Sequence, residues 1–144
     1  MQHRLAADQF DLRVTFGNRH RKVPNPKKIG PNKLIANSHE WTAFVRLDRT
    51  KVATSDLIEK VRFELHPSFG ADYKDAKACD NFEFTCRGFG TFNMPITIFF
   101  KRETGIPHPR KVTVDHMLSF DGTGSWKTIS VPILKTYAKQ IGLI

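Results

Sequence analysis

The chain has 144 residues, 40% of them hydrophobic, which is the size of one ordinary domain with a real core. No run of about 20 apolar residues occurs, so we expect no membrane span, and residues 1–11 lack a secretory signal. The formal net charge of +9 favours acidic or polyanionic partners. Two cysteines, Cys79 and Cys86, do not form a disulfide framework, which indicates free thiols in an intracellular, reducing compartment.

Alternation of apolar and polar residues predicts three strands in the first half of the chain. The first covers 12–16 and is ended by Gly17, the second covers 41–47, and the third covers 61–65 after one helical turn. Between the first two strands, residues 19–33 are rich in Lys and Arg, contain no acid and include three prolines, which predicts a long exposed loop. This loop is either a solvated basic surface, a phosphate-contacting segment near DNA, or part of a nuclear-import signal.

The second half predicts further strands at 82–86, 92–100 and 112–114, with 67–80 irregular. Pro95 cannot donate to a strand ladder, which indicates an edge or a bulge at that point. Short alternating strands joined by loops containing Gly and Pro favour a β-sandwich. Because no repeating helical segments separate the strands, a parallel α/β sheet is disfavoured.

The end of the chain has a different pattern. Residues 121–125 are typical of a linker, and Ser130 followed by Pro132 fits a helix N-cap with proline in the first turn. A helical stripe then comprises Ile133, Leu134, Tyr137, Ala138 and Ile141. We therefore expect a sandwich domain at 10–120, followed by a linker and a short amphipathic helix at 121–144. That helix either packs on the sandwich or presents its stripe to a partner.

Two loops place aromatic side chains where the chain turns at the ends of predicted strands. They are His66-Pro67-Ser68-Phe69 and Gly88-Phe89-Gly90-Thr91-Phe92. At one end of a sandwich, such loops could form a narrow slot with aromatic walls and backbone N–H groups at its floor. This slot suits a flat, neutral amide better than a charged ammonium group. Taken alone, Phe69 and Phe89 are more often core residues, but their small neighbours favour loop tips.

Four motifs in a fixed order carry a family resemblance. They are Ser38-His39-Glu40-Trp41-Thr42, the two loops, and the strand Pro95-Ile96-Thr97-Ile98-Phe99-Phe100. From about Phe10 to Phe120 the chain resembles a YEATS domain, and Phe16-Gly17-Asn18 is similar to the first strand of the chromatin-remodelling branch. The resemblance implies an all-β, immunoglobulin-like β-sandwich that binds acylated lysine on histone tails, with acetyl-lysine and crotonyl-lysine as the usual ligands.

The resemblance also implies which residues bind the acyl-lysine. His66, Ser68 and Phe69 match the first binding loop, with Ser68 hydrogen-bonding the amide and His66 orienting Ser68. Phe89 matches the aromatic position of the second loop, which is usually Tyr or Trp, and His39 lies in a loop that adds a further wall. Gly88 and Gly90 flank Phe89. Phe69 and Phe89 are expected to sandwich the amide plane.

Other chemistries are disfavoured. His39, His66, Cys79 and Cys86 do not have zinc-ligand spacing, no third residue completes a Ser68/His66 pair, and no dinucleotide loop is present. We therefore expect no metal, cofactor or catalytic residue.

The expected partners are an acylated histone H3 tail, DNA through residues 19–33, and subunits of a chromatin complex in the nucleus, with no membrane. The alternative function is an immunoglobulin-like scaffold of a chromatin complex that binds DNA or protein without reading acyl-lysine.

Overall fold

The structure, a computed structural model, describes residues 7–23, 39–48, 51–88 and 90–144. The regular elements within these residues are β1 (Gln9–Lys22), β2 (His39–Leu47), β3 (Ile58–Glu64), β4 (Tyr73–Ala76), β5 (Glu83–Gly88), β6 (Asn93–Phe100), β7 (Lys111–Met117), β8 (Gly124–Leu134) and α1 (Lys135–Gln140). Single turns of 3-10 helix lie at 54–56, 67–69, 78–80 and 102–104. No helix in the described ranges is long and apolar enough to cross a bilayer.

The strands form two antiparallel sheets that pack face to face. The first sheet has the order β5-β2-β1-β8 and the second has the order β4-β3-β6-β7. Alternate residues of both sheets point inward, and the largest fully buried side chains among them include Trp41, Phe63, Phe100, Ile96 and Ile98. The predicted all-β, immunoglobulin-like sandwich with a short C-terminal helix is confirmed. Cys79 and Cys86 are both free thiols.

Strand β1 is longer than the sequence pattern predicts. It does not end at Gly17 but continues to Lys22, because β8 pairs with it as far as Arg19 and β2 pairs with it as far as Lys22. Gly17 is needed there for space, since a Cβ at this position would lie 2.3 Å from the backbone oxygen of Ser125. The start of the predicted basic loop, residues 19–22, is therefore strand, and its residues 24–33 lie outside the described part of the chain.

Strand β8 replaces the predicted linker and the start of the predicted helix. It pairs with β1 from Arg19↔Gly124 to Gln9↔Leu134 and buries Val131 in the core. The prediction was wrong because pairing with β1 from Gln9 to Arg19 outweighs the local Gly and Pro signals. The helix begins at Lys135, and it packs back on the sandwich, where Ala138 is buried and the Tyr137 hydroxyl donates to the carbonyl of Asp56. The division into domains at residue 120 stays a prediction.

The segment predicted to be irregular contains the edge strand β4. This strand pairs with β3 and is held by Arg62, whose guanidinium bonds Asp75 at 2.8 Å and lies 3.9 Å from the ring centroid of Tyr73. The alternation of apolar and polar residues did not predict β4, because the residues of this strand are mostly polar. Pro95 lies in β6 just beyond Ile96, the last residue of β6 paired with β3, so β6 has a local edge there, as predicted.

Candidate binding site

The first predicted binding loop is a tight connection between β3 and β4. The N–H of Leu65 donates to the carbonyl of Asp72 at 2.9 Å, and the N–H of Phe69 donates to the carbonyl of His66 at 3.0 Å. These bonds close the loop and form its single 3-10 turn. The turn directs the ring of Phe69 toward the core, so that the side chain is half-buried against it.

An aromatic cluster joins this loop to the second one. We use this name for Trp41, His66, Phe69, Phe84 and Phe92. The ring centroid of Phe92 lies 5.7 Å from that of Phe69, 5.9 Å from that of His66 and 6.1 Å from that of Trp41. Trp41 is fully buried beneath and makes edge contacts with Phe69 and Phe84. Such edge and tilted contacts add about 0.5–1.5 kcal/mol per pair beyond burial, so the cluster holds both loops in place.

A second group of stacked rings lies at the start of β2, two residues before Trp41. His39 opens β2, faces the same side as Trp41 and pairs with Gly88, which begins the second predicted loop. Its imidazole stacks on Phe120 at 4.5 Å and lies 5.0 Å from the ring of His20. Burial lowers the pKa of His39 below its ordinary value, and the nearby His20 and Lys22 lower that pKa further. A neutral imidazole is therefore favoured at this position.

The Asn18 amide positions the segment that carries Phe120. Its Oδ1 accepts from His116 Nε2 at 2.7 Å and from the N–H of Ser119 at 3.0 Å. Its Nδ2 donates to the carbonyl of Ser119 at 2.8 Å. Burial lowers the pKa of His116, with a smaller contribution from Lys127, so this ring is held neutral inside the network.

The structure brings together some of the predicted site residues. His66 and Phe69 meet in the aromatic cluster, and His39 lies beside the backbone of Gly88. The backbones of Ser68 and Gly88 lie in the 3-10 turn and at the end of β5, respectively. Phe89 lies outside the described residues, so its predicted position opposite Phe69 stays a prediction. Gly90 is exposed, and a Cβ there would meet nothing within 4 Å.

The sequence did not single out several residues that contact the predicted ones. They are Trp41, Phe92, Phe120 and His20, and Phe84 in turn contacts Trp41. Trp41 and Phe92 were present in the quoted motifs, and their aromatic character was the available signal. His20 offered no such signal, because it lies in a segment that the sequence predicted to be a loop. Within the described ranges, no three His, Cys, Asp or Glu side chains are grouped closely enough to hold a metal ion.

Comparison with known proteins identifies the family. Residues 36–122 match the YEATS family. The protein AF-9 homolog of Candida glabrata is 34% identical over 91 residues, and that of Saccharomyces cerevisiae is 32% identical over 90 residues. These alignments cover 63% and 62% of this chain but only 39% and 38% of the relatives. The chain belongs to the YEATS family, and it spans well under half the length of these curated relatives.

Solved structures of the yeast AF-9 homolog protein Yaf9 have the same fold. One crystal structure aligns with a TM-score of 0.74 at 24% identity over 91% of this chain and 85% of that chain. The Yaf9 YEATS domain bound to H3K27ac aligns with a TM-score of 0.74 at 24% identity over 99% of both chains. A Yaf9 YEATS domain recognising an H3K122suc peptide aligns with a TM-score of 0.72 at 24% identity, over 93% of this chain and 91% of that chain.

Proposed function

We propose that this domain reads acylated lysine on a histone H3 tail and thereby recruits a chromatin complex in the nucleus. The observation that carries the proposal is the ring contact between Phe69 and Phe92, which joins the two predicted binding loops over Trp41. Family membership and the acylated H3 peptides bound by Yaf9 support this choice of ligand. The site contains no group assigned to catalysis, and the proposed role is binding alone.

Acylation changes the lysine from a ligand that such a site rejects to one that it accepts. An ammonium ion must lose its hydration shell to enter an aromatic site, whereas acetyl-lysine and crotonyl-lysine end in a neutral, planar amide. Phe69 offers a ring on one side of the site, and we assign the other side to Phe89. Each stacking contact contributes about 0.5–1.5 kcal/mol, and each backbone hydrogen bond to the acyl oxygen contributes a net ~0.5–1.5 kcal/mol. A crotonyl chain extends the flat surface and should gain more than an acetyl group does.

The net charge does not provide the affinity. Histone tails are basic, and a domain of charge +9 repels them weakly. Ordering a flexible tail also costs conformational entropy, so we expect binding of roughly −5 to −8 kcal/mol, in the micromolar range or weaker.

The test is a titration of the domain with H3 tail peptides that are unmodified, acetylated or crotonylated at one lysine. We expect the order crotonyl, acetyl, unmodified, and loss of the preference in Phe69→Ala and Phe89→Ala. Phe99→Ala is a matched control, because this half-buried ring packs beneath Lys60 on the outward face of the second sheet. Equal or absent binding of all three peptides would instead support the scaffold function.

A further inference from the structure

A tryptophan of the edge strand β8, Trp126, lies on the outward face of the first sheet. Gly17 is paired with Phe44 on one side and with Trp126 on the other. A Cβ at Gly17 would lie 2.6 Å from the Cβ of Trp126, so the tryptophan closely covers the strand at this glycine. Its ring centroid lies 6.4 Å from that of Phe44. Phe44 is 1% exposed although it points outward, whereas Trp126 remains 47% exposed.

Arginines lie over Phe44, the ring next to this indole. The guanidinium carbons of Arg19 and Arg46 lie 5.3 and 5.1 Å from the ring centroid of Phe44. The register places the following cations on this face: Arg13, Arg19, Arg21, Arg46 and Arg87. It places fewer acids there: Asp11, Glu40 and Glu83. The face is therefore basic around a half-exposed aromatic ring.

The acids do not neutralise all of these cations. Glu40 pairs with Arg21 at 2.9 Å and with Arg87 at 3.7 Å, and Glu83 pairs with Arg19 at 3.0 Å. Among the residues that the structure describes, Arg13 and Arg46 have no carboxylate within 4.0 Å. Their charges are available to an external anion.

The basic character continues at the end of the face. A cleft of about 430 Å³ lies there, lined by Arg19, His20, Arg21, Glu40, Thr42 and Thr123. A partner of complementary charge is a polyanion that can follow several cations in a row.

We infer that this face binds a single-stranded nucleic acid, with an unpaired base stacked on Trp126 and the phosphates at Arg13 and Arg46. Stacking on aromatic side chains beside a basic track is how proteins hold single strands without reading sequence. A duplex keeps its bases stacked on each other, and an acidic peptide has no base to stack, so neither would use the indole. This inference does not rest on the proposed reading of acyl-lysine, because Trp41, the fully buried member of the aromatic cluster, lies on the inward side of the first sheet.

The test is binding of the full chain to a fluorescent oligothymidylate, to a duplex of equal length and to a polyglutamate peptide. We expect the single strand to bind most tightly, and Trp126→Leu to weaken it by about tenfold, as expected for loss of one stacked base. Leucine keeps an apolar cover over Phe44. Trp126→Phe retains a ring and should keep most of the affinity.

The salt dependence tests the arginines separately. Replacing Arg13 and Arg46 together by Gln should reduce the slope of log K against log salt by about 1.4, or ~0.7 for each lost phosphate contact. Lys111→Gln is the matched control on the outward face of the second sheet, and its slope should stay at the wild-type value. Equal binding of duplex or polyglutamate would overturn the inference, as would an unchanged affinity in folded Trp126→Leu. If that variant does not fold, an unchanged slope in the arginine variant is the overturning result.

Discussion

The Nε2 atom of His20 lies 2.8 Å from the Nδ1 atom of His39. The other nitrogen of His20, Nδ1, lies 2.8 Å from the carbonyl oxygen of Gly122, which can only accept, so His20 Nδ1 donates. A neutral His20 then has a bare Nε2 that accepts from His39. His20, which lies in β1 outside the proposed binding site, therefore makes Nδ1 of the site residue His39 a hydrogen-bond donor.

The first prediction concerns the tautomer of His39. In the neutral pair, His39 must carry its proton on Nδ1, which leaves Nε2 as an acceptor. We expect ¹⁵N NMR of the imidazoles at neutral pH to show the Nδ1–H form for His39. In His20→Ala the acceptor is lost, and the Nε2–H form should become populated. A wild-type His39 protonated mainly on Nε2 would contradict the deduced hydrogen-bond direction.

The second prediction is a loss of stability in mild acid. The fold lowers the pKa of His116 and of His39 below the value of an unfolded histidine, about 6.5. The unfolded chain therefore binds more protons between the folded and unfolded pKa values. The free energy of unfolding should be highest above pH ~6.5 and should fall as the pH is lowered through the depressed folded pKa values.

Denaturant melts at a series of pH values measure this dependence. His116→Gln removes one of the two histidines whose pKa the fold lowers, and it should flatten the profile between neutral pH and pH ~5 while lowering stability at pH 7. The paired carboxylates contribute at lower pH, since hydrogen bonds and charge from Arg62 lower the pKa of Asp75. A wild-type free energy of unfolding that increases as the pH is lowered toward 5 would contradict the lowered pKa values of His39 and His116.

The third prediction concerns Phe92, which the sequence placed at the end of the second loop but not among the binding residues. Phe92→Ala removes ring contacts to Trp41, His66 and Phe69. Because the side chain is half-buried, we expect a loss of about 2 kcal/mol in unfolding free energy. We also expect roughly tenfold weaker binding of a crotonylated peptide, since Phe69 loses its neighbour. Phe99→Ala should cost similar stability and leave peptide binding unchanged, and equal effects of both variants on binding would argue against a role in the site.

The fourth prediction separates two glycines. A Cβ at Gly124 would lie 2.0 Å from the backbone oxygen of Asn18, and its φ of +119° disfavours any L side chain. Gly124→Ala should therefore destabilise the domain by several kcal/mol, about 3 or more. A Cβ at Gly90 meets nothing within 4 Å, so Gly90→Ala should keep the wild-type midpoint in a thermal melt. If peptide binding also stayed unchanged in Gly90→Ala, close approach of the ligand to the backbone at this position would be ruled out.

The fifth prediction tests strand β8 at two adjacent residues. Ile133 is 1% exposed and Leu134 is 38% exposed, because neighbouring residues of a strand point to opposite faces. Ile133→Ala should cost about 2–5 kcal/mol of unfolding free energy. Leu134→Ala should cost about 1 kcal/mol or less. Equal costs would favour a helix with both residues on one stripe over the strand.

Much of the sandwich followed from the sequence, because its strands alternate in hydrophobicity. Met94, Ile96 and Ile98 could be assigned to one buried face from their spacing alone, and the order of four motifs was sufficient to indicate the family. Pro67 and Gly70 correctly marked the connection between β3 and β4, and Gly90 that between β5 and β6. These features are local, so they can be recognised without knowing which strands are neighbours.

Only the tertiary structure decided features that depend on pairing between distant residues. Ser130 and Pro132 form part of a strand because β1 offers a long partner, and Phe44 is buried on an outward face because Trp126 and two arginines cover it. His20 meets His39 only because β1 continues past Gly17 beside β2. The local sequence pattern around a residue indicates whether its side chain prefers to be buried. The strand lying across from it determines whether it is buried and which group it contacts.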